Sequence, residues 1–240
     1  MKFNKFGQYA GQVLRYVPRA IFQPKVIIIA GVKIDSSLPC FNAQLKKQLY
    51  LNAWESDEIA IISQHIEGKD TVLELGGCIG FLSTYVAKRL TTGCMQVIEA
   101  NPHLIPVIEH HMNINNVKFK VINGIVGDEE SYNFYIADSI ISSSMTQKPG
   151  TKKEIVSGIS LRDKLREFSP SVLIIDIEGG EYGLLKEIPP LDSVKKILIE
   201  FHGIESNALV YSEIINNLAQ QGFELIQRGD NDDRVHFFRK

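Results

Sequence analysis

From Ser56 onward, short apolar runs alternate with amphipathic stretches, which predicts strands separated by helices. Ile59, Ile62 and Ile66 share one helical face, and Gly68 is placed to end that helix in a left-handed conformation. Residues 71–75 read as a buried strand running into Gly76-Gly77-Cys78-Ile79-Gly80, and Phe81, Leu82, Tyr85, Val86 and Leu90 form the buried face of the next helix. A second strand at 95–98 is closed by Glu99, and Asn101-Pro102 has the cap and first-turn proline of a helix start. Further strands are expected at 117–122, 172–177 and 197–201, with an extra one at 132–136. Ser160 opens a capping-box-like helix carrying Leu161, Leu165 and Phe168, and a helix from Asn207 ends at Gly222. The last strands, 223–227 and 235–238, have no helix between them, so the final one runs antiparallel to its neighbour. Continuous apolar strands separated by helices specify a sheet covered on both faces. The expectation is an α/β fold: a doubly wound seven-stranded sheet, mostly parallel, with an antiparallel last strand.

The first 54 residues are less regular. A basic, aromatic stretch over 1–25 precedes an apolar strand at 26–34 and a turn at 35–39. That stretch reads either as a membrane-surface or partner helix or, as the favoured alternative, as a cap packed on the core. We expect an N-terminal extension over 1–54 and one catalytic domain over 55–240. With 44% apolar and 22% charged residues in 240, the chain can bury a sizeable core without staples. Its net charge of -2 gives no footprint for gripping nucleic acid. The longest apolar run, 26–30, is far short of a membrane span. No signal-peptide pattern opens the chain, and three scattered cysteines suit a reducing compartment, so a cytoplasmic protein is expected.

In such sheets, ligands bind beyond the carboxyl ends of the strands, where strand order reverses. Three acidic strand ends fall there: residues 74–80, 99–102 and 176–179. Gly76 and Gly80 let the backbone turn and approach a ligand, and Glu99 is placed to accept both hydroxyls of a ribose. A dinucleotide loop needs glycines at its first, third and sixth positions, yet Cys78 and Phe81 stand there counting from Gly76, and Ile79 and Leu82 counting from Gly77. A nucleoside without phosphate fits better, and S-adenosylmethionine, with its ribose and cationic sulfonium, suits acidic strand ends.

These segments resemble the FkbM-type S-adenosylmethionine-dependent methyltransferases. Residues 74–80 are similar to the family's acidic-x-Gly-Ala-Asn-x-Gly loop, and Glu99-Ala100-Asn101-Pro102 to Glu-Pro-Asn-Pro. Residues 175–181, Ile-Asp-Ile-Glu-Gly-Gly-Glu, are similar to its Asp-x-Glu-Gly-Ala-Glu signature, with residues 199–202, Ile-Glu-Phe-His, beyond. Cys78 stands where Asn is usual, Ala100 for Pro and Gly180 for Ala. The resemblance implies a Rossmann-like class I methyltransferase fold and methylation of a hydroxyl on a sugar, glycan or polyketide-like small molecule. Gly76, Gly77 and Gly80 are then expected to shape the cofactor loop, with Phe81 and Ala100 beside it. Glu74 would help hold the methionine end, Glu99 the ribose, and Asn101 would sit near the adenine.

An alcohol needs its proton removed before it attacks, so a base is expected within hydrogen-bond reach. Asp176, Glu178 and His202 are the candidates at the crevice, Asp176 also lying at the cofactor. Asp176 reads otherwise as a helix cap, and His202 equally as a structural histidine. The same three residues read, less favourably, as ligands of a divalent metal, since no spaced ligand motif supports it. Glu181 serves on the simplest reading only the helix dipole. His103, His110 and His111 are assigned to an exposed helix face, and the run 142–144 reads either as a site wall or as a loop. The rival functions are a nicotinamide-dependent oxidoreductase and an inactive cofactor-binding scaffold. A nucleic-acid methyltransferase is disfavoured, because residues 188–191, Ile-Pro-Pro-Leu, lack the polar and aromatic ends of the base-flipping type.

Overall fold

The computed structural model describes residues 5–137, 143–203 and 207–240, the first helix by its backbone alone up to Val13. The N-terminal part comprises α1 (Lys5–Phe22), β1 (Val26–Ile29), β2 (Val32–Asp35) and α2 (Ala43–Leu51). The alternating region follows with α3 (Ser56–His65), β3 (Val72–Leu75), α4 (Phe81–Ala87), β4 (Met95–Glu99), α5 (Ile105–Asn115) and β5 (Lys120–Asn123). Three strands interrupt it: β6 (Ile125–Val126), β7 (Ser131–Ile136) and β8 (Lys152–Ile159). It then resumes with α6 (Leu161–Phe168), β9 (Val172–Ile175), α7 (Glu181–Lys186), β10 (Lys196–Glu200), α8 (Ala208–Gln220), β11 (Glu224–Arg228) and β12 (Val235–Arg239).

The main sheet has seven strands in the order β11-β12-β10-β9-β3-β4-β5. β3, β4, β5, β9 and β10 pair in parallel, whereas β12 runs antiparallel to both β10 and β11. This is the expected doubly wound sheet, and its order reverses between β3 and β9. Side chains alternate across the strands. Val72, Val172 and Ile174 join one core with Phe81, Ile61 and Ile62, while Leu73, Leu75, Leu173 and Ile175 join a second with Leu165, Ile214 and Leu218. Both faces are therefore buried, which is why β9 reads as an unbroken apolar run and β3 as one interrupted only by Glu74.

The structure departs from the expected elements at several points. The single strand at 26–34 is a hairpin, because Ala30 and Gly31 both take positive φ and turn the chain between Ile29 and Val32. Its inward residues Ile27, Ile29, Val32 and Ile34 belong to the first core, as do Leu45 and Leu49 of α2. The helix after β4 starts at Ile105, not at Asn101; the Asn101 side chain instead accepts from the His103 amide at 3.1 Å. α3 ends at His65 with Ile66 extended, so Gly68 does not cap it. Ser160 and Asn207 do cap their helices, accepting from Asp163 and Val210.

His111 also corrects the exposed-face assignment, being 1% exposed. Its Nδ1 donates to the Ile79 carbonyl at 2.7 Å and its Nε2 accepts from the Asp35 amide at 3.0 Å, so it is neutral, and burial pulls its pKa down. One residue thus joins the hairpin, α5 and the loop after β3. His111→Leu would strand a buried donor and a buried acceptor, at a cost of about 2–4 kcal/mol. The melting temperature read by circular dichroism should fall by roughly 5–15 °C; an unchanged value would contradict this role.

Candidate active site

β3 turns at Gly76, whose φ is +92° and whose missing side chain makes room for β9: a Cβ there would lie 1.6 Å from the Asp176 carbonyl oxygen. Gly77 and Gly80 are packing positions, since a Cβ on either would press on Ile108 of α5. The chain crosses the mouth of the sheet at Cys78, a non-glycine residue with φ +46°. Asparagine tolerates that region better than cysteine, which gives a physical reason for the asparagine of the resembled loop. Glu55 and Glu178 are likewise left-handed, and strain of this kind gathers at functional sites.

Above the ends of β3, β4 and β9 lies a cleft of about 510 Å³. Gly76, Ile98, Glu99, Ala100, Asn101, Asp176 and Glu178 line its floor, and Tyr132, Phe134, Ser143 and Ser144 come from the side of the small sheet β6-β8-β7. Trp54 and Arg162 also line it. The size suits a small-molecule site.

Glu99 is the best-defined group on this floor. One carboxylate oxygen accepts from the Cys78 amide at 2.8 Å and the other from the Asn101 amide at 2.7 Å. Burial pushes its pKa up to about 7, against the pull of the Asn101, Cys78 and Gly77 amides. Each oxygen keeps a lone pair for a further donor, so a cofactor bearing a vicinal diol fits the donor and acceptor pattern here.

The second acidic end is a cluster. The His202 Nδ1 pairs with Glu181 Oε1 at 2.9 Å, and its Nε2 lies 3.5 Å from Glu200, 3.6 Å from Glu178 and 3.8 Å from Asp176. Burial pulls the His202 pKa down, but the Glu181 hydrogen bond and the charges of Glu178, Glu181 and Glu200 outweigh it and raise it. Burial, then the charges of Glu200, Glu178, Glu55 and Glu58, hold the Asp176 carboxyl well above the usual range. Its Oδ1 is shielded from solvent and has no hydrogen-bond partner among the described residues.

Of the expected site residues, Gly76, Glu99, Ala100, Asn101, Asp176 and Glu178 line the cleft; Gly77, Gly80, Phe81, Glu74 and His202 do not. Phe81 is core, and His202 stands behind Asp176 and Glu178. Glu181 is more than a dipole partner: wholly buried, it holds both His202 and the Gly179 amide. Ser142 lies outside the described residues, while Ser143 and Ser144 line the cleft. Sequence reasoning missed Trp54, Tyr132, Arg162, Glu55 and Glu58. Only the lone tryptophan just before the alternating region carried any signal.

A doubly wound sheet with this strand order and an amide-held carboxylate at the end of β4 fits the class of S-adenosylmethionine-dependent methyltransferases. The chain matches the Methyltransferase FkbM domain over residues 74–225 and belongs to that family. No curated protein matches it. Among solved structures it is similar to a methyltransferase from Pyrococcus furiosus, with 11% identity, 96% of this chain and 95% of that one covered, and a TM-score of 0.49. It is also similar to M. jannaschii TYW2 in complex with AdoMet, with 12% identity, 89% and 82% covered, and a TM-score of 0.48. A third is Aeropyrum pernix fibrillarin with natively bound S-adenosyl-L-methionine, with 14% identity, 76% and 72% covered, and a TM-score of 0.45. The nicotinamide-dependent alternative finds no support.

Glu74 is 1% exposed and accepts from Ser83 Oγ at 2.5 Å. Burial pushes its pKa up to about 8, opposed by the Ser83 bond and assisted by the Glu99 charge. The folded protein therefore keeps a proton that the unfolded chain releases near the ordinary carboxylate pKa. Between that value and about 8 the unfolded state binds fewer protons, so stability falls as pH rises. Glu74→Gln retains the Ser83 contact and has no proton to lose. It should melt several degrees above the parent at pH 8 and close to it at pH 5; equal melting temperatures at both would refute the buried neutral acid.

Proposed function

We propose that this methyltransferase is an O-methyltransferase acting on a hydroxyl of a sugar, glycan or polyketide-like small molecule. The observation that carries the reading is that Glu99, held through both oxygens by backbone amides, and Asp176, whose Oδ1 has no hydrogen-bond partner among the described residues, line one cleft. The bound cofactor supplies an electrophilic methyl group on a cationic sulfonium. Glu99 would bind the ribose hydroxyls through its free lone pairs, and the backbone at Gly76 and Cys78 would hold the tail. Glu74 would act on the methionine end only from beneath the loop, as a buried acid.

Asp176 would take the proton of the acceptor hydroxyl as the carbon–oxygen bond forms and the carbon–sulfur bond breaks. Its raised pKa makes it a strong base once ionised, and a cation bound in the cleft favours ionisation by opposing the Glu178 and Glu200 charges. His202, held by Glu181, would orient and charge-balance this carboxylate rather than touch the acceptor. Cleft residues Asp128, Glu129, Glu178 and Glu187 against Arg162 disfavour a polyphosphate acceptor, and Ser143, Ser144 and Tyr132 offer polar contacts to a hydroxylated one. The reducing, cytoplasmic setting that we infer rests on Cys40, Cys78 and Cys94, all free.

A divalent cation is the second reading, favoured by one observation: ligand atoms of Asp176, Glu178 and His202 lie within 4.8 Å of one another. Such an ion would lower the acceptor pKa. Turnover unchanged after dialysis against chelator supports the carboxylate base; loss restored by Mg²⁺ supports the ion.

Glu99→Ala should weaken S-adenosylmethionine binding about 100-fold in calorimetry through loss of two charge-assisted hydrogen bonds. Asp176→Asn should slow turnover by about 10²–10⁴-fold with cofactor affinity nearly unchanged. Wild-type affinity in the first and wild-type turnover in the second would overturn the assignments. Cofactor binding without product from any hydroxylated acceptor would favour the inactive scaffold.

A further inference from the structure

The first 34 residues hold six of the 26 basic residues and none of the 28 acidic ones, leaving the rest of the chain acidic by eight charges. This segment is tied to the protein along one side. Arg19 donates to the carbonyls of Tyr50 at 3.0 Å and Ile28 at 3.2 Å and to the side chain of Asn52, and the Tyr16 ring lies 6.4 Å from that of Tyr50. The other side of α1 is exposed over its described side chains. Leu14, Val17, Ile21 and Phe22 recur at i, i+3, i+7 and i+8, hence on one helical face, and Leu14, Ile21 and Phe22 are 76%, 68% and 80% exposed.

β1 adds Val26 and Ile28, which point outward while Ile27 and Ile29 point into the core. Six of the eleven exposed large apolar side chains among the described residues thus fall within residues 14–28. Single exposed apolar residues need no explanation, but a cluster of them does. Arg15, Lys25 and Lys33 are exposed within the same segment. The first acid after them, Asp35, is engaged by Ser37 and His110.

We propose that this face docks on an anionic membrane surface. The apolar side chains of α1 and β1 enter the interface between headgroups and acyl chains, and Arg15, Lys25 and Lys33 meet lipid phosphates. Charge decides between occupants. A second copy would bring basic side chains against basic ones with no acid in the segment to balance them, whereas an anionic leaflet complements them. Among the described residues no helix is long and apolar enough to cross a bilayer, so the segment would lie on the membrane.

The test is co-sedimentation of the full chain with vesicles, read without any methyl acceptor and so independent of the methyl-transfer reading. Vesicles of phosphatidylcholine with ~30% phosphatidylglycerol should bind the protein at least tenfold more tightly than pure phosphatidylcholine, and binding should weaken sharply at about 0.5 M salt. The triple variant Leu14→Glu, Ile21→Glu, Phe22→Ser should lose at least tenfold in vesicle affinity, with melting temperature and cofactor affinity unchanged. Three results would overturn the proposal: no binding to anionic vesicles, equal binding by parent and variant, or a parent dimer in light scattering that the variant dissolves while neither binds lipid. Should the variant not fold, Lys25→Glu with Lys33→Glu gives the same reading through the charge term alone.

Discussion

The Glu99 carboxylate is the tie on which the site depends. It bridges the loop after β3 and the loop after β4 by accepting from Cys78 and Asn101, and so holds two strand ends open against a shared cleft. The tie is possible because Gly76 yields its side-chain volume to the Asp176 carbonyl, letting β3 and β9 run side by side to the point where strand order reverses. A buried carboxylate held by amides is costly to desolvate. The cost is offset by charge-assisted bonds, and the same oxygens remain able to receive a ligand's hydroxyls.

Around the end of β9 the balance is different. Burial, reinforced by the surrounding acids including Glu200, raises the pKa values of Glu55, Glu58, Asp176 and Glu178, with His202 and Arg234 beside them. A positive charge bound beside such a cluster favours the ionised carboxylates and so the release of their protons to solvent. That behaviour suits a site whose cofactor carries positive charge, and it fits acids rather than phosphate-binding glycines and lysines at these strand ends.

The parts of the fold legible in the sequence were those governed by local pattern and burial. Strands such as 72–75 and 172–175 are apolar because both faces are covered, and caps such as Ser160 and Asn207 announce their helices. The hairpin at 26–35 was not legible, since the apolar run continues from Val26 through Ala30 and the positive φ angles of Ala30 and Gly31 break it. α2 and β8 were missed because neither has a continuous apolar run; β8 carries four charged or polar residues in KKEIVSGI. At the site, the three acidic strand ends were visible because topology places strand termini. The direction of a buried side chain was not, which is why Glu74 and Phe81 fall beneath the cleft and His111 belongs to the core. Trp54 reaches the cleft from before the repeating pattern, Glu55 and Glu58 bear on Asp176 through their charge, and no local rule announces either.

A crystal structure of the protein with S-adenosylhomocysteine tests the central claim most directly. The account predicts both ribose hydroxyls on the Glu99 carboxylate, above the bend at residues 76–80, with Asp176 facing the sulfur end. A nucleoside bound elsewhere, or a Glu99 carboxylate still covered by protein side chains, would contradict it.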